Sequence, residues 1–546
     1  MVSARATKWW GWGFEDRGES IDSRPALRAF LGAALELPDR VDSLLARDPA
    51  SIPLPPPRLR ESDVAALRGF VGDAASRAAM DRLSHALGKS YRDLLRLRLG
   101  DVPSAPDIVL FPGAEEHLSR VLAWCSDGDV GVVPFGGGTS VVGGVEVADG
   151  SRPHVTLDLR RMNRVLGVDT VSLTVTAEAG ILGPDLEARL AAARLTAGHF
   201  PQSFEFSTLG GWVATRSTGA LSGRYGKIED MVAGLRLVAP SGLLDLRGRP
   251  RHAMGPDLLS LAVGSEGTFG VISRATIRVH PAPAARRFAT VLFRSFGEGL
   301  DVLRAMAQDG VPPDMAYLDD EDETRLSLAG ARGERGIGRT SPQTPGVPRD
   351  RGSLCYFAFE GAQRVVERRL ALGRAYFGRG ASLGPRPAKA WFDNRFAAPY
   401  VRDALIERRI MVDTVETATM WSNVERLHGA ACDALRDAIA AAGFPGFVGC
   451  HVSHVYSEGA SLYFTFLSRQ KRGEELAQYD AVKSAVTRAI LDHGGHLSHH
   501  HGIGTEHAKY LREAIGEDAW RLLRELKRTL DPRGIMNPGK IFPVGS

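Results

Sequence analysis

The segment GVVPFGGGTSVVGG (131–144) decides the fold. A short apolar run ends in Pro134 and Phe135, breaks into Gly136, Gly137 and Gly138, and continues as Thr139 and Ser140. Successive glycines let backbone N–H groups close around a phosphate, and the two hydroxyls add donors beside them. Alone, such a cluster reads as a tight turn. Two more follow, however: Gly210 and Gly211 in EFSTLGGW (205–212), and Gly264, Gly267 and Gly270 in GSEGTFG (264–270). Three clusters in one β-rich region point to a large phosphate-bearing cofactor. Their spacing excludes both the dinucleotide fingerprint G-x-G-x-x-G and the P-loop G-x-x-x-x-G-K-[ST].

Outward from this segment the chain alternates. DIVLFPG (107–113), a helical AEEHLSRVLAWCSD (114–127) and the glycine segment give strand, helix, strand, the rhythm of an α/β or α+β domain. HVTLDL (154–159) and the alternating VSLTVTAEAG (171–180) read as strands, 183–195 as a helix carrying Leu186, Leu190 and Leu195 on one side, and LRLVAPSGLLDL (235–246) as a hairpin. Longer strands and amphipathic helices follow 283, interrupted by a polar run at 330–352 with almost nothing apolar to bury, expected to be a mobile loop. Four parts are expected: an N-terminal helical and extended region (1–100), a cofactor domain (101–282), a cap or substrate domain (283–490) and a C-terminal segment (491–546) that returns to the active site.

Composition narrows the function. In 546 residues, 44% hydrophobic and 24% charged, 68 basic side chains face 64 acidic ones. That is an ordinary soluble protein without the clustered basic footprint of a nucleic-acid binder. The four cysteines, Cys125, Cys355, Cys432 and Cys450, are far apart, so neither a zinc motif nor a redox dithiol is expected and a reducing compartment fits. With no long apolar run and no signal peptide, the chain is expected to be cytoplasmic and soluble. The loop HLSHHHGIGTEH (496–507) could serve as a metal site, as acid/base groups or as a polar surface loop. It lacks the H-E-x-x-H spacing, and no metal is expected there.

PFGGGTS (134–140), EFSTLGGWVATRSTG (205–219), MGPDLLSLAVGSEGTFGVI (254–272) and DPRGIMNPGK (531–540) resemble the flavin-binding fold of the vanillyl-alcohol oxidase superfamily. KWWGWG (8–13), STLGGWVATRSTGALSGRYGKIED (207–230), YVRDALIE (400–407), CHVSHVYSEGASLYFTF (450–466) and LSHHHGIG (497–504) resemble the alkyldihydroxyacetone-phosphate synthase family, also called alkylglycerone-phosphate synthase. The resemblance implies an α+β fold. In it, a two-lobed FAD-binding domain of the PCMH type joins a cap domain of antiparallel sheet and flanking helices, with a helical N-terminal region. It implies noncovalent FAD, His199 being the histidine placed just before the flavin-lining segment. It also implies a reaction without net redox: acyl-dihydroxyacetone phosphate loses its fatty acid and gains a fatty alcohol, the flavin holding the three-carbon unit. The alternative in the same fold is an FAD-dependent oxidoreductase of a 2-hydroxyacid or another polar alcohol.

Carried over motif by motif, Pro134, Phe135, Gly136, Gly137, Gly138, Thr139 and Ser140 would cradle the pyrophosphate. Gln202, Ser203, Phe204, Glu205, Phe206, Ser207 and Thr208 would line the flavin, with Thr215, Arg216, Ser217 and Thr218. Glu266, Gly267, Thr268, Phe269, Gly270, Val271 and Ile272 would close around it. Tyr463 matches the family's active-site tyrosine, His499, His500 and His501 its histidine run with a base for the substrate C1 proton, and Arg402 its substrate-side arginine. In PPDMAYLDDEDETRL (312–326) Ala316 stands where the family carries an arginine. The expected partners are a small-molecule or lipid-like substrate and a second copy in a homodimer, with no nucleic acid. A fatty substrate also needs a route to a membrane surface. Trp9, Trp10 and Trp12 are candidates for that peripheral contact, against the competing expectation that they are buried core.

Overall fold

The computed structural model describes residues 6–38, 42–148, 150–248, 250–331, 351–378 and 380–545. Most of the loop expected to be mobile, 332–350, lies outside the described residues. The chain divides into two compact units, one of residues 46–219, 226–281 and 500–546, the other of residues 1–45, 220–225 and 282–499.

The unit that holds the glycine clusters contains two main sheets. In the first, Ile108–Leu110, His154–Asp158 and Gly131–Phe135 lie parallel in that spatial order, with the short strand Ala75–Ser76 antiparallel at the edge. Parallel strands need a crossover. The helix Glu115–Asp127 supplies it, and its buried Leu118, Val121, Leu122 and Cys125 have the three-to-four spacing of one helix face. The second sheet is antiparallel, ordered Val165–Asp169, Thr174–Glu178, Val271–Arg278, Val232–Ala239, Gly242–Leu246. Its last two strands are the hairpin that LRLVAPSGLLDL encodes. The helix expected over 183–195 is shorter, Gly183–Ala191, with Leu186 and Leu190 buried. Arg194 turns at φ 56 and Leu195 enters a two-residue strand paired with His280–Pro281, because a left-handed residue cannot continue a helix. The C-terminal DPRGIMNPGK joins this unit: Val132 N–H donates to Ile535 O and Asn537 N–H to Val132 O, each at 2.8 Å.

The second unit is built on a seven-stranded sheet, antiparallel throughout. Its spatial order is Ala381–Ser382, Ala285–Phe293, Ser353–Gly361, Met315–Asp319, Gly446–Val455, Gly459–Arg469, Ile410–Met420. All nine residues of Ser353–Gly361 are buried, as an interior strand covered on both faces requires. The N-terminal KWWGWG packs into this unit. Trp12 N–H donates to the Asp403 carboxylate at 2.8 Å, Lys8 lies 3.7 Å from the same carboxylate, and Trp9 and Trp12 are buried. Gly13 turns at φ +81 with no room for a Cβ, which would stand 2.2 Å from the Tyr400 hydroxyl. Of the two expectations, the core one holds for Trp9 and Trp12, which are buried, while Trp10 is half-buried. Among the described residues no helix is long and apolar enough to cross a membrane.

Candidate functional site

In the glycine-rich unit the three clusters, distant in sequence, meet through backbone contacts. Pro134 and Phe135 end their strand and Gly136–Ser140 leave it as a loop. A Cβ on Gly136 would lie 2.3 Å from the Thr208 hydroxyl, one on Gly137 would lie 1.8 Å from Phe206 O, and Gly138 turns at φ +66. The loop is therefore pressed against the segment Gln202–Thr208. That segment is itself a run of turns, with Phe206 N–H and Ser207 N–H both donating to Ser203 O at 2.9 Å and Phe204 N–H bonded to Pro201 O. Thr208 caps the helix Leu209–Thr215, and the Trp212 indole donates to Ser207 Oγ at 2.7 Å. Arg216 leaves the helix at φ 51 and donates to Val263 O and Ser260 O. The third cluster docks there as well: Gly264 N–H and Glu266 N–H donate to Val213 O and Ala214 O at 2.9 and 2.8 Å. Glu205 is on the turn beside Phe204 and Phe206, Ser217 and Thr218 are buried after it, and Gly267, Thr268, Phe269 and Gly270 lead into Val271 and Ile272 of the central strand.

This cradle presents backbone where phosphates need it. It also holds buried polar atoms without a hydrogen-bond partner: Ser265 Oγ, Thr218 Oγ1, His199 Nδ1 and Asn537 Oδ1. Buried polar groups are normally paired. Orphans in the same unit as a side-chain-free loop fit a large ligand with a pyrophosphate and polar ring edges, which is the chemistry of FAD.

His199 is fully buried, bonded through Nε2 to Ser217 Oγ at 2.7 Å and packed on Trp212 with centroids 4.9 Å apart. Burial pulls its pKa down to about 3 from 6.5, so the ring is neutral. Between those values the unfolded chain binds the proton that the folded chain refuses. Stability is therefore complete above pH 6.5 and is lost as pH falls from 6.5 toward 3, by at most about 1.4 kcal/mol per pH unit from this group. Accordingly, the melting temperature of the flavin-loaded protein should fall less steeply between pH 6.5 and 4 in His199→Gln than in wild type. Parallel curves would show that His199 is not the group responsible.

Glu266, assigned to the flavin envelope by resemblance, has its carboxylate engaged elsewhere. It accepts from Ile503 N–H at 2.6 Å and Gly504 N–H at 2.7 Å, anchoring the far arm of the histidine loop. Burial pushes it up to about 7, against those two donors and Lys540. His500 and His501 meet edge-on in the same unit, centroids 4.8 Å apart.

In the other unit Tyr463 is carried by Gly459–Arg469, opposite Glu416 on one side and His451 on the other. The period of two along a strand puts Thr414 on the same face as Glu416. Thr414 Oγ1 donates to Tyr463 Oη at 3.0 Å. Burial pushes the phenol up to about 12, with Asp413 and Glu416 adding to the rise, while the Thr414 hydroxyl and the Arg402 guanidinium pull it down. Arg402, on the helix Ala398–Glu407, keeps Nε and Nη2 buried with no hydrogen-bond partner and lies over the Trp12 ring at 5.7 Å. Rings continue from Tyr463 to His451 (4.8 Å) and from His451 to Tyr317 (3.9 Å). Ala316 points away from them. Alternation puts it with Leu318, which packs on Gly299 of the helix Phe296–Gln308, so the residue of this strand that faces the aromatic run is Tyr317.

Glu416 is the residue the motifs did not reveal. Its two oxygens accept from Ser498 Oγ (2.6 Å) and His499 N–H (2.7 Å), and His499 Nε2 is bonded to Tyr456 Oη at 2.6 Å. The only signal in the sequence was a carboxylate at an inward position of the alternating strand VETAT, with nothing local to say what it would hold.

Comparison with known proteins bears on the family and the cofactor. A family described as FAD binding domain matches residues 106–246, and one described as FAD linked oxidases, C-terminal domain, matches 282–541. The chain is 35% identical over 540 residues to the alkyldihydroxyacetonephosphate synthase of Dictyostelium discoideum, covering 95% of this chain and 88% of that one. A solved structure of an alkyldihydroxyacetonephosphate synthase is similar with a TM-score of 0.84 at 32% identity, over 98% of both chains. The mitochondrial cytochrome-type D-lactate dehydrogenase of Arabidopsis thaliana is similar at 29% identity, over 80% of this chain and 74% of that one.

Proposed function

The chain belongs to the alkyldihydroxyacetonephosphate synthase family of FAD-linked enzymes, and we propose that it exchanges the acyl chain of acyl-dihydroxyacetone phosphate for a fatty alcohol. The observation that carries this reading is the Arg402 guanidinium, whose buried Nε and Nη2 lack partners while its charge acts on the Tyr463 phenol. Two unpaired N–H donors on one planar fork suit a phosphate, and a phenol within its field suits proton transfer on the carbon skeleton attached to that phosphate.

The roles then follow from each residue's surroundings. The N–H groups of Gly136–Ser140 hold the FAD pyrophosphate, and bound FAD supplies the reactive isoalloxazine ring. Arg402 fixes the substrate phosphate. Tyr463, buried, protonated at neutral pH and accepting from Thr414, acts as proton donor. A histidine of the run His499–His501 takes the C1 proton, and Glu416 positions that run by holding Ser498 and His499. The exchange balances without an electron acceptor: fatty alcohol enters, fatty acid leaves with the alcohol's proton, and an ether replaces an ester. FAD is held noncovalently, as the neutral, hydrogen-bonded His199 supports. The assembly is a homodimer in the cytoplasm, reaching its fatty substrates by peripheral membrane contact.

The test is an anaerobic incubation of the flavin-loaded protein with acyl-dihydroxyacetone phosphate and labelled fatty alcohol, without electron acceptor. Labelled ether should form in step with released fatty acid. No ether, with flavin bleaching on a 2-hydroxyacid, would make the enzyme a dehydrogenase instead.

A further inference from the structure

Away from Tyr463 and Arg402, three side chains in the cap unit converge without a role in the exchange. Asp320 follows the strand Met315–Asp319 and opens the helix Glu321–Ala331, with its Oδ1 accepting Glu323 N–H at 2.7 Å. His428 and Cys432 stand four residues apart on the helix Val424–Ala441, so they share one face. His428 Nε2 lies 3.0 Å from Asp320 Oδ2 and 3.7 Å from Cys432 Sγ, and all three atoms are within 4.8 Å of one another. Asp320 and Cys432 are buried, while the His428 side chain is 21% exposed. Its ring is held by Phe296 and Phe464, with centroids at 4.8 and 6.2 Å.

We propose that Asp320, His428 and Cys432 form a zinc-class metal site that ties the helix Val424–Ala441 to the start of the helix Glu321–Ala331. In a tetrahedral zinc site with Zn–N and Zn–O near 2.0–2.2 Å and Zn–S near 2.3 Å, neighbouring ligand atoms stand roughly 3.2–3.8 Å apart. The two distances measured from His428 Nε2 approach that spacing before any metal draws the ligands together. One imidazole, one thiolate and one carboxylate make a borderline donor set, suited to Zn²⁺ and to Co²⁺ as its spectroscopic substitute. His428 is the partly exposed member of the triad, and in a tetrahedral site the fourth position would fall to water. Two further carboxyl groups stand near the triad. Glu323, buried and donating its backbone N–H to Asp320, has an Oε2 with no hydrogen-bond partner, and burial holds it and Asp319 toward the protonated form, from which a bound cation would draw them. The competing occupant is a proton on His428, which would leave the triad a plain ion pair with an idle thiol.

Binding and identity are tested separately. The flavin-loaded enzyme, purified under reductant and equilibrated with Zn²⁺, is desalted and analysed for metal and by zinc X-ray absorption. The expected result is tightly held zinc whose first shell includes one sulfur at about 2.3 Å. The sulfur path discriminates against zinc on the histidine loop, which would show nitrogen and oxygen alone. Cys432→Ala should lose that path, along with the rise in melting temperature that Zn²⁺ produces in wild type. Should Cys432→Ala fail to fold, the wild-type spectrum still decides. Wild-type enzyme with no retained zinc, or with zinc lacking a sulfur ligand, would overturn the proposal and leave the proton-bridged pair.

Discussion

Replacing Tyr463 by phenylalanine is expected to slow ether formation by about 10²–10⁴-fold, the range that a positioned proton donor contributes. The substitution removes one oxygen and keeps the ring, so the stack on His451 at 4.8 Å survives. Thr414 loses an acceptor, and a hydroxyl can turn to another. Flavin content and melting temperature should therefore match wild type, which confines the loss to turnover. Burial holds the phenol near 12, so the group is a donor throughout the neutral range and its removal is not mimicked by raising pH from 6 to 9. Activity within about threefold of wild type would take Tyr463 out of the chemistry and leave it a sheet-face aromatic.

The second large effect is on cofactor loading. A Cβ at Gly137 would sit 1.8 Å from Phe206 O and 2.8 Å from Phe206 C, both backbone atoms that no rotamer can move. Gly137→Ala must therefore separate the phosphate loop from the segment Gln202–Thr208, which the whole cradle depends on. The expected product is a folded protein with little or no yellow colour, its affinity for FAD reduced by at least about a hundredfold, or nearly 3 kcal/mol. The control is Gly211→Ala. A Cβ there meets nothing nearer than the Thr208 hydroxyl at 3.4 Å and lies within the helix Leu209–Thr215, where alanine is the better helix former. Flavin-to-protein absorbance ratios read both variants directly. Full flavin in Gly137→Ala would mean the two segments can part without losing the ligand.

Much of this was legible from residue order alone, wherever the determinant is local. The glycine clusters of the cofactor cradle, the hairpin at 235–246 and the motifs around Tyr463 and the histidine run are short patterns whose meaning depends on backbone freedom, alternation or direct resemblance. Composition argues against a dedicated nucleic-acid binder. The rest depended on which strand lies beside which. Glu416 holds the histidine loop through Ser498 and His499, more than eighty residues further along the chain, a separation that no local period encodes. Ala316 looked like a missing cation on the substrate side until alternation placed it on the helix-packed face, with Tyr317 turned toward His451. Cysteine spacing carries no metal motif, and the approach of Asp320 to His428 and Cys432, on which the proposed zinc site rests, is a property of distance in space. The sequence by itself determined the family, the cofactor and the chemistry available. Only the tertiary structure decided which donors stay unpaired, which carboxylates act as anchors and which side chains share a face, since those depend on register and burial set by contacts remote along the chain.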